Sequence, residues 1–108
     1  MTSLIIPALL LCAALQDVKA EMASRYPKDA AQIRVVGLPT VGYRNRLWLN
    51  WKAMRFQAGR CDLFKSPQIV VVKDKKPAVT MYRLKHELSH FVVAAAGLPD
   101  IAHERIDH

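Results

Sequence analysis

The chain has 108 residues and a formal charge of +7, with 16 Lys and Arg against nine Asp and Glu. That length allows one small domain, and a 52% hydrophobic content is enough for a core and argues against disorder. Two cysteines, Cys12 and Cys61, exclude a disulfide-dense scaffold, and no apolar run reaches the roughly 18–20 residues that span a bilayer.

The first element expected is a helix. Leu4 to Leu15 is almost wholly apolar and resembles the central stretch of a secretory signal, with Val18 and Ala20 spaced as at a cleavage site. Yet the first 18 residues carry no Lys or Arg. Leu11, Leu15, Val18 and Met22 recur on one helical face, and the periodicity runs straight through the cleavage point. Gln16, Asp17, Lys19, Glu21 and Arg25 fall on the other side. A structural helix ending before Tyr26-Pro27 is therefore favoured over a leader, because a residue before proline leaves the α region. This places the protein in the cytoplasm; a cleaved signal would make it secreted.

The middle reads as strands. Gln32 to Leu38 is short and β-branched, and Arg46 to Ala53 alternates in hydropathy. A short helix around Trp51 to Gln57 is an alternative for part of that stretch. Gly59 to Asp62 has turn composition, and Gln68 to Val72 is a strand between Pro67 and a charged run ending at Pro77. Residues 25–85 hold 14 basic residues and only three acids, Asp29, Asp62 and Asp74. This basic body admits nucleic acid or another polyanion as a partner, with Arg44, Arg46 and Lys52 as contacts, and equally a solvated surface. Aromatics interleaved with arginine between Tyr43 and Phe56 fit core packing or base stacking.

From Ala78 to Ala96 a long helix is expected, with Met81, Leu84, Leu88, Phe91 and Ala95 as its inward stripe and Gly97 as its stop. It contains His86-Glu87-Leu88-Ser89-His90, an H-E-x-x-H pattern. Positions i and i+4 share a helix face one turn apart, so both imidazoles can reach one metal ion. Glu87 is rotated about 100° from His86 and sits beside that ion, placed to move a proton as general base. Zinc suits nitrogen and carboxylate ligands with one position left open. All four histidines and two of the three glutamates lie in the last 23 residues, so ligand chemistry gathers at one end.

Strand Gln68 to Val72 followed by a helix carrying HELSH resembles the zincin metallopeptidases. The resemblance implies one α+β domain over residues 1–108. Its parts would be an N-terminal helix, a small twisted three-stranded sheet, the HExxH helix and a short C-terminal helix with the third zinc ligand. It implies His86 and His90 as zinc ligands, Glu87 as general base, and hydrolysis of peptide bonds in a peptide or protein by metal-activated water. The metzincin branch is excluded, because Val93 and Ala96 stand where it needs glycine and histidine. A gluzincin-like arrangement makes Glu104 the third ligand, with Asp107 in support. His103 is the SprT-like alternative, His108 another, and Asp100 trails them. Tyr82, Tyr43, His103 or His108 would stabilise the oxyanion. Substrate would pair along Gln68 to Val72 as an edge strand. A non-catalytic zinc-stabilised binding module and a SprT-like nucleic-acid-associated protein are the alternative functions.

Overall fold

The computed structural model describes residues 8–50, 54–57, 59–62 and 68–99. Helix α1 (Ala8–Arg25) is followed by a 3-10 turn (Pro27–Asp29) and the short α2 (Ala30–Arg34). Strands β1 (Thr40–Arg44), β2 (Trp48–Asn50), β3 (Arg55–Gln57), β4 (Gly59–Asp62) and β5 (Gln68–Val72) precede α3 (Pro77–Ala95). The class is α+β.

Helix α1 runs unbroken through the stretch that resembles a cleavage site and stops where Pro27 dictates. Leu15, Val18 and Met22 are buried, as the spacing predicts, Leu11 is only partly buried, and Ala14 joins them in the core. Lys19 departs from expectation. It was placed on the polar side, yet it is only 8% exposed, and its Nζ donates a hydrogen bond of 3.3 Å to the carbonyl of Val36. Its aliphatic stem covers apolar surface while the ammonium holds the turn after α2.

The expected strand from Gln32 to Leu38 does not form. Its first residues complete α2 instead, and only Ile33 and Val36 turn into the core, while Val35 is 82% exposed. The 3-10 turn opened by Pro27 leads directly into the helix, and one deeply buried side chain, Ile33, anchors it. β-Branched composition yields here to local chain direction.

Two sheets form among the described residues: a three-stranded sheet in the order β1-β5-β4 and a β2-β3 pair. β1 runs parallel to β5 and β4 antiparallel to it. Of the expected strand over Arg46 to Ala53, Trp48–Asn50 forms β2 and residues 51–53 lie outside the described residues, while Arg55–Gln57 is strand, not helix. The expected turn at Gly59 to Asp62 is β4. Strand β5 keeps its expected bounds but not its expected role, because it lies at the centre between β1 and β4. Its backbone is paired on both sides and cannot accept a substrate strand.

Helix α3 packs on β4 and β5, and also against α1 and α2. A helix in contact on more than one side needs a broad apolar arc. Leu84, Leu88, Phe91, Val92, Val93 and Ala96 are buried accordingly, whereas Ala95, expected inside, is exposed. Pro77 supplies a first helical position that needs no N–H. The Asp74 carboxylate accepts from the Lys76 N–H (2.9 Å), and the Asp74 N–H donates to Thr80 Oγ1 (2.9 Å). Arg83 Nη1 donates to the Val72 carbonyl at 3.0 Å. These bonds tie the end of β5 to the first two turns of α3. At the other end, Gly97 takes φ +75°, the Leu98 N–H reaches the Val93 carbonyl (2.9 Å) and the Gly97 N–H that of Ala94 (3.1 Å). This is a Schellman stop, closed by Leu98 packing on the core.

Tyr43 carries a buried polar defect. Val41 and Tyr43 of β1 lie opposite Ile69 and Val71 and pack against the core. The Tyr43 hydroxyl is sealed from solvent without a hydrogen-bond partner among the described residues. An unsatisfied buried hydroxyl costs about 1–3 kcal/mol, so Tyr43→Phe is expected to raise the urea midpoint at pH 7. Burial also pushes the Tyr43 pKa from 10.0 up to about 12. The unfolded chain then loses its proton first, so stability falls as pH rises from 10 towards about 12. Urea titrations at pH 7 and above pH 10 check both effects: Tyr43→Phe loses less stability than wild type over that interval. A lower midpoint for Tyr43→Phe at pH 7 refutes the expectation.

Candidate metal centre

Because α3 is continuous from Pro77 to Ala95, the spacing of His86 and His90 becomes proximity. Their Nε2 atoms stand 3.3 Å apart, with ring centroids at 4.9 Å and planes at 78°. Two nitrogens bound at about 2.0–2.1 Å to one tetrahedral ion stand about 3.3–3.4 Å apart. The observed separation is the one that shared zinc coordination requires. The same distance also suits a hydrogen bond between one neutral ring and the other, so the pair is compact without metal as well.

The neighbours of the two imidazoles hold them at the margin of the core. Leu84 and Leu88 are fully buried on the inward side, and Phe91 is nearly so. The His86 side chain keeps 33% of its exposure, which leaves its ring reachable from solution. Ser89 is fully buried and donates its hydroxyl proton to the His86 carbonyl. That bond to the preceding turn satisfies the serine inside the helix and ties it to the residue carrying the first imidazole.

Glu87 lies between His86 and the sheet. Its residue exposure is 7%, and its Oε2 lies 3.9 Å from His86 Nε2. The carboxylate therefore stands beside the His86 imidazole. It also reaches the sheet. An ideal Cβ built on Gly59 of β4 would lie 2.6 Å from Glu87 Oε2. Gly59 is a residue that sequence reading placed in a turn. The available signal was an isolated glycine within a strand, which often marks a close approach by another group.

Glu104, His103 and His108, with Asp100 and Asp107, lie outside the described residues, as does the expected C-terminal helix. Among the described residues, no group of three His, Cys, Asp or Glu forms a metal site. Tyr82 lies one turn before His86 on α3 and is 54% exposed. Tyr43 has its hydroxyl sealed inside the protein, so it cannot present that group to a substrate. Arg44 and Arg46 are exposed, and Lys52 lies outside the described residues. No described helix is long and apolar enough to cross a membrane.

No protein-family model matches the chain, and no curated protein or solved structure matches it either.

Proposed function

We propose that this protein is a zincin-like zinc metallopeptidase that hydrolyses peptide bonds in extended polypeptide. The observation that carries the proposal is the 3.3 Å separation of His86 and His90 Nε2 with the Glu87 carboxylate alongside. His86 and His90 would hold the ion, with Glu104 as the third ligand and His103 or His108 as its alternatives. Zinc supplies Lewis-acid polarisation of a carbonyl and acidification of water. Glu87 would take a proton from the attacking water and return it to the departing amine. The buried Leu84, Leu88 and Phe91 anchor α3 in the core and so would hold in place the helix that carries both imidazoles. Tyr82, beside His86 and exposed, is the oxyanion donor favoured over Tyr43.

The substrate track is reassigned with the sheet. Among the described strands, β4 and not β5 ends the sheet on the side of Glu87. A peptide paired along β4 by main-chain hydrogen bonds would bring its own backbone next to Glu87. An extended segment of unfolded protein meets that requirement.

Metal analysis and hydrolysis test the proposal together. The purified protein is expected to contain one zinc per chain and to cleave an unstructured polypeptide, with cleavage stopped by a chelator and restored by zinc. Absence of bound zinc, or chelator-resistant cleavage, refutes it. A second reading rests on the cationic end of the molecule. The Lys73 N–H donates to the Arg44 carbonyl at 2.8 Å, which sets those two residues beside each other, with Arg46, Lys75 and Lys76 close by in the chain and Asp74 among them. A nucleic-acid-associated role predicts binding that falls steeply with salt and weakens in Arg44→Ala and Arg46→Ala. A non-catalytic zinc-stabilised module predicts bound metal and no cleavage.

A further inference from the structure

We propose that Gly59 is a positioning residue for Glu87: the bare backbone of β4 sets where the carboxylate stands. The inference rests on the peptidase reading for its catalytic consequence, but not for the contact itself. A methyl group on Gly59 would meet Glu87 Oε2 at 2.6 Å and its Cδ and Cγ at 2.9 Å. All three lie under the 3.0 Å that real Cβ contacts respect. The carboxylate therefore occupies the volume that any other residue at position 59 would fill.

Neither backbone is free to withdraw. Gly59 pairs with Val71, which is fully buried in the central strand. That strand is tied to α3 by the bond from Arg83 to the Val72 carbonyl. On the helix, Leu88 and Ser89 beside Glu87 are fully buried, so α3 cannot slide outward without opening the core. The flexible part is the Glu87 side chain. A side chain at 59 pushes the carboxylate off the sheet and changes its 3.9 Å relation to His86 Nε2. Misplacing a catalytic group by about 1 Å can cost about 100-fold in rate. The three atoms nearest a methyl group at 59 all belong to Glu87 and none to His86 or His90, so metal binding is expected to be spared.

Two measurements decide the matter. The first is a thermal-unfolding cycle over Gly59→Ala and Glu87→Ala. Gly59→Ala is expected to lower the melting midpoint of the wild-type chain. In the Glu87→Ala background the space is open, and alanine suits a strand better than glycine, so the same change is expected to raise the midpoint. If Gly59→Ala alone does not fold, the double variant is expected to. Equal effects in both backgrounds overturn the proposal, whatever the protein's activity. The second is kinetic. Gly59→Ala is expected to keep stoichiometric zinc, lose about 100-fold in kcat with a much smaller change in KM, and add no further loss to Glu87→Gln. An unchanged kcat in a folded Gly59→Ala protein also overturns it. A wild-type protein without hydrolysis removes the peptidase reading, and the unfolding cycle then decides the Gly59 contact by itself.

Discussion

Glu87→Gln is expected to fold, to retain one zinc per chain, and to lose about 100- to 10,000-fold in kcat on an unstructured polypeptide, the range ordinarily supplied by a positioned acid–base group. The substitution replaces one carboxylate oxygen with an amide nitrogen and leaves the volume unchanged. Glu87 is 7% exposed and fits against Gly59, so shape decides whether the site stays assembled. The amide keeps that shape and an acceptor oxygen, but it cannot take up a proton from water. Both candidate ligand nitrogens belong to His86 and His90 and are untouched. Loss of rate with metal retained therefore isolates proton transfer from metal binding. Zinc content by elemental analysis and kcat by peptide-fragment release give the two readouts. Wild-type turnover in Glu87→Gln removes Glu87 as the base, and loss of zinc makes it part of the metal's support.

The separation between those two roles follows from the helix. His86 and His90 are one turn apart and share a face, whereas Glu87 is turned about 100° from His86 and leans towards the sheet. One residue of offset is enough to place the imidazoles at a half-open margin and the carboxylate in the crevice between α3 and β4. Spacing within the motif was legible because α3 is regular, and regularity converts sequence distance directly into geometry.

Other parts were less legible, each for a local reason. α1 and β5 could be read because apolar periodicity and a bounded β-branched run both agree with their final burial. The Gln32 to Leu38 segment misled because Val35 and Val36 suggested a strand, while Pro27 had already started a turn that continues into α2. β1 went unseen, although Val41 and Tyr43 alternate inward with Thr40, Gly42 and Arg44, because Pro39 and Gly42 suggest a loop. β4 was read as a turn because of Gly59, and that glycine answers to Glu87, a residue 28 positions away. Such a reason is invisible until the sheet has been assembled. Centrality of β5 was hidden for the same cause: it depends on β1 and β4, neither of which the sequence reading expects. The proposed third ligands Glu104, His103 and His108 lie outside the described residues and rest on sequence pattern alone.

Leu88→Ala is expected to produce a large loss of stability, about 2–5 kcal/mol, the range for truncating a buried leucine where the surroundings cannot collapse. Leu88 is fully buried at the centre of α3, between the two histidines, with Leu84 and Val92 one turn away on either side and also fully buried. A domain of this size has about 5–15 kcal/mol in total, so the variant sits close to unfolding at the warm end of the physiological range. Each kcal/mol moves the melting midpoint by about 4–8 °C, which puts the shift at about 8 °C or more. Under the proposed function metal binding then enters as linkage, because the proposed ligand set would be assembled only in the folded chain. Free zinc at about 100 times its dissociation constant adds about 2.7 kcal/mol, enough to offset a large part of the loss. Leu88→Ala should therefore regain much of its midpoint in excess zinc. The same variant carrying His86→Ala and His90→Ala should regain none. Leu88→Met, which conserves volume, should cost less than about 1.5 kcal/mol and respond to zinc as the wild type does. Differential scanning calorimetry with and without zinc reads all four chains. A Leu88→Ala midpoint equal to that of the wild type refutes the packing of α3, and zinc rescue that survives removal of both histidines refutes their role as ligands.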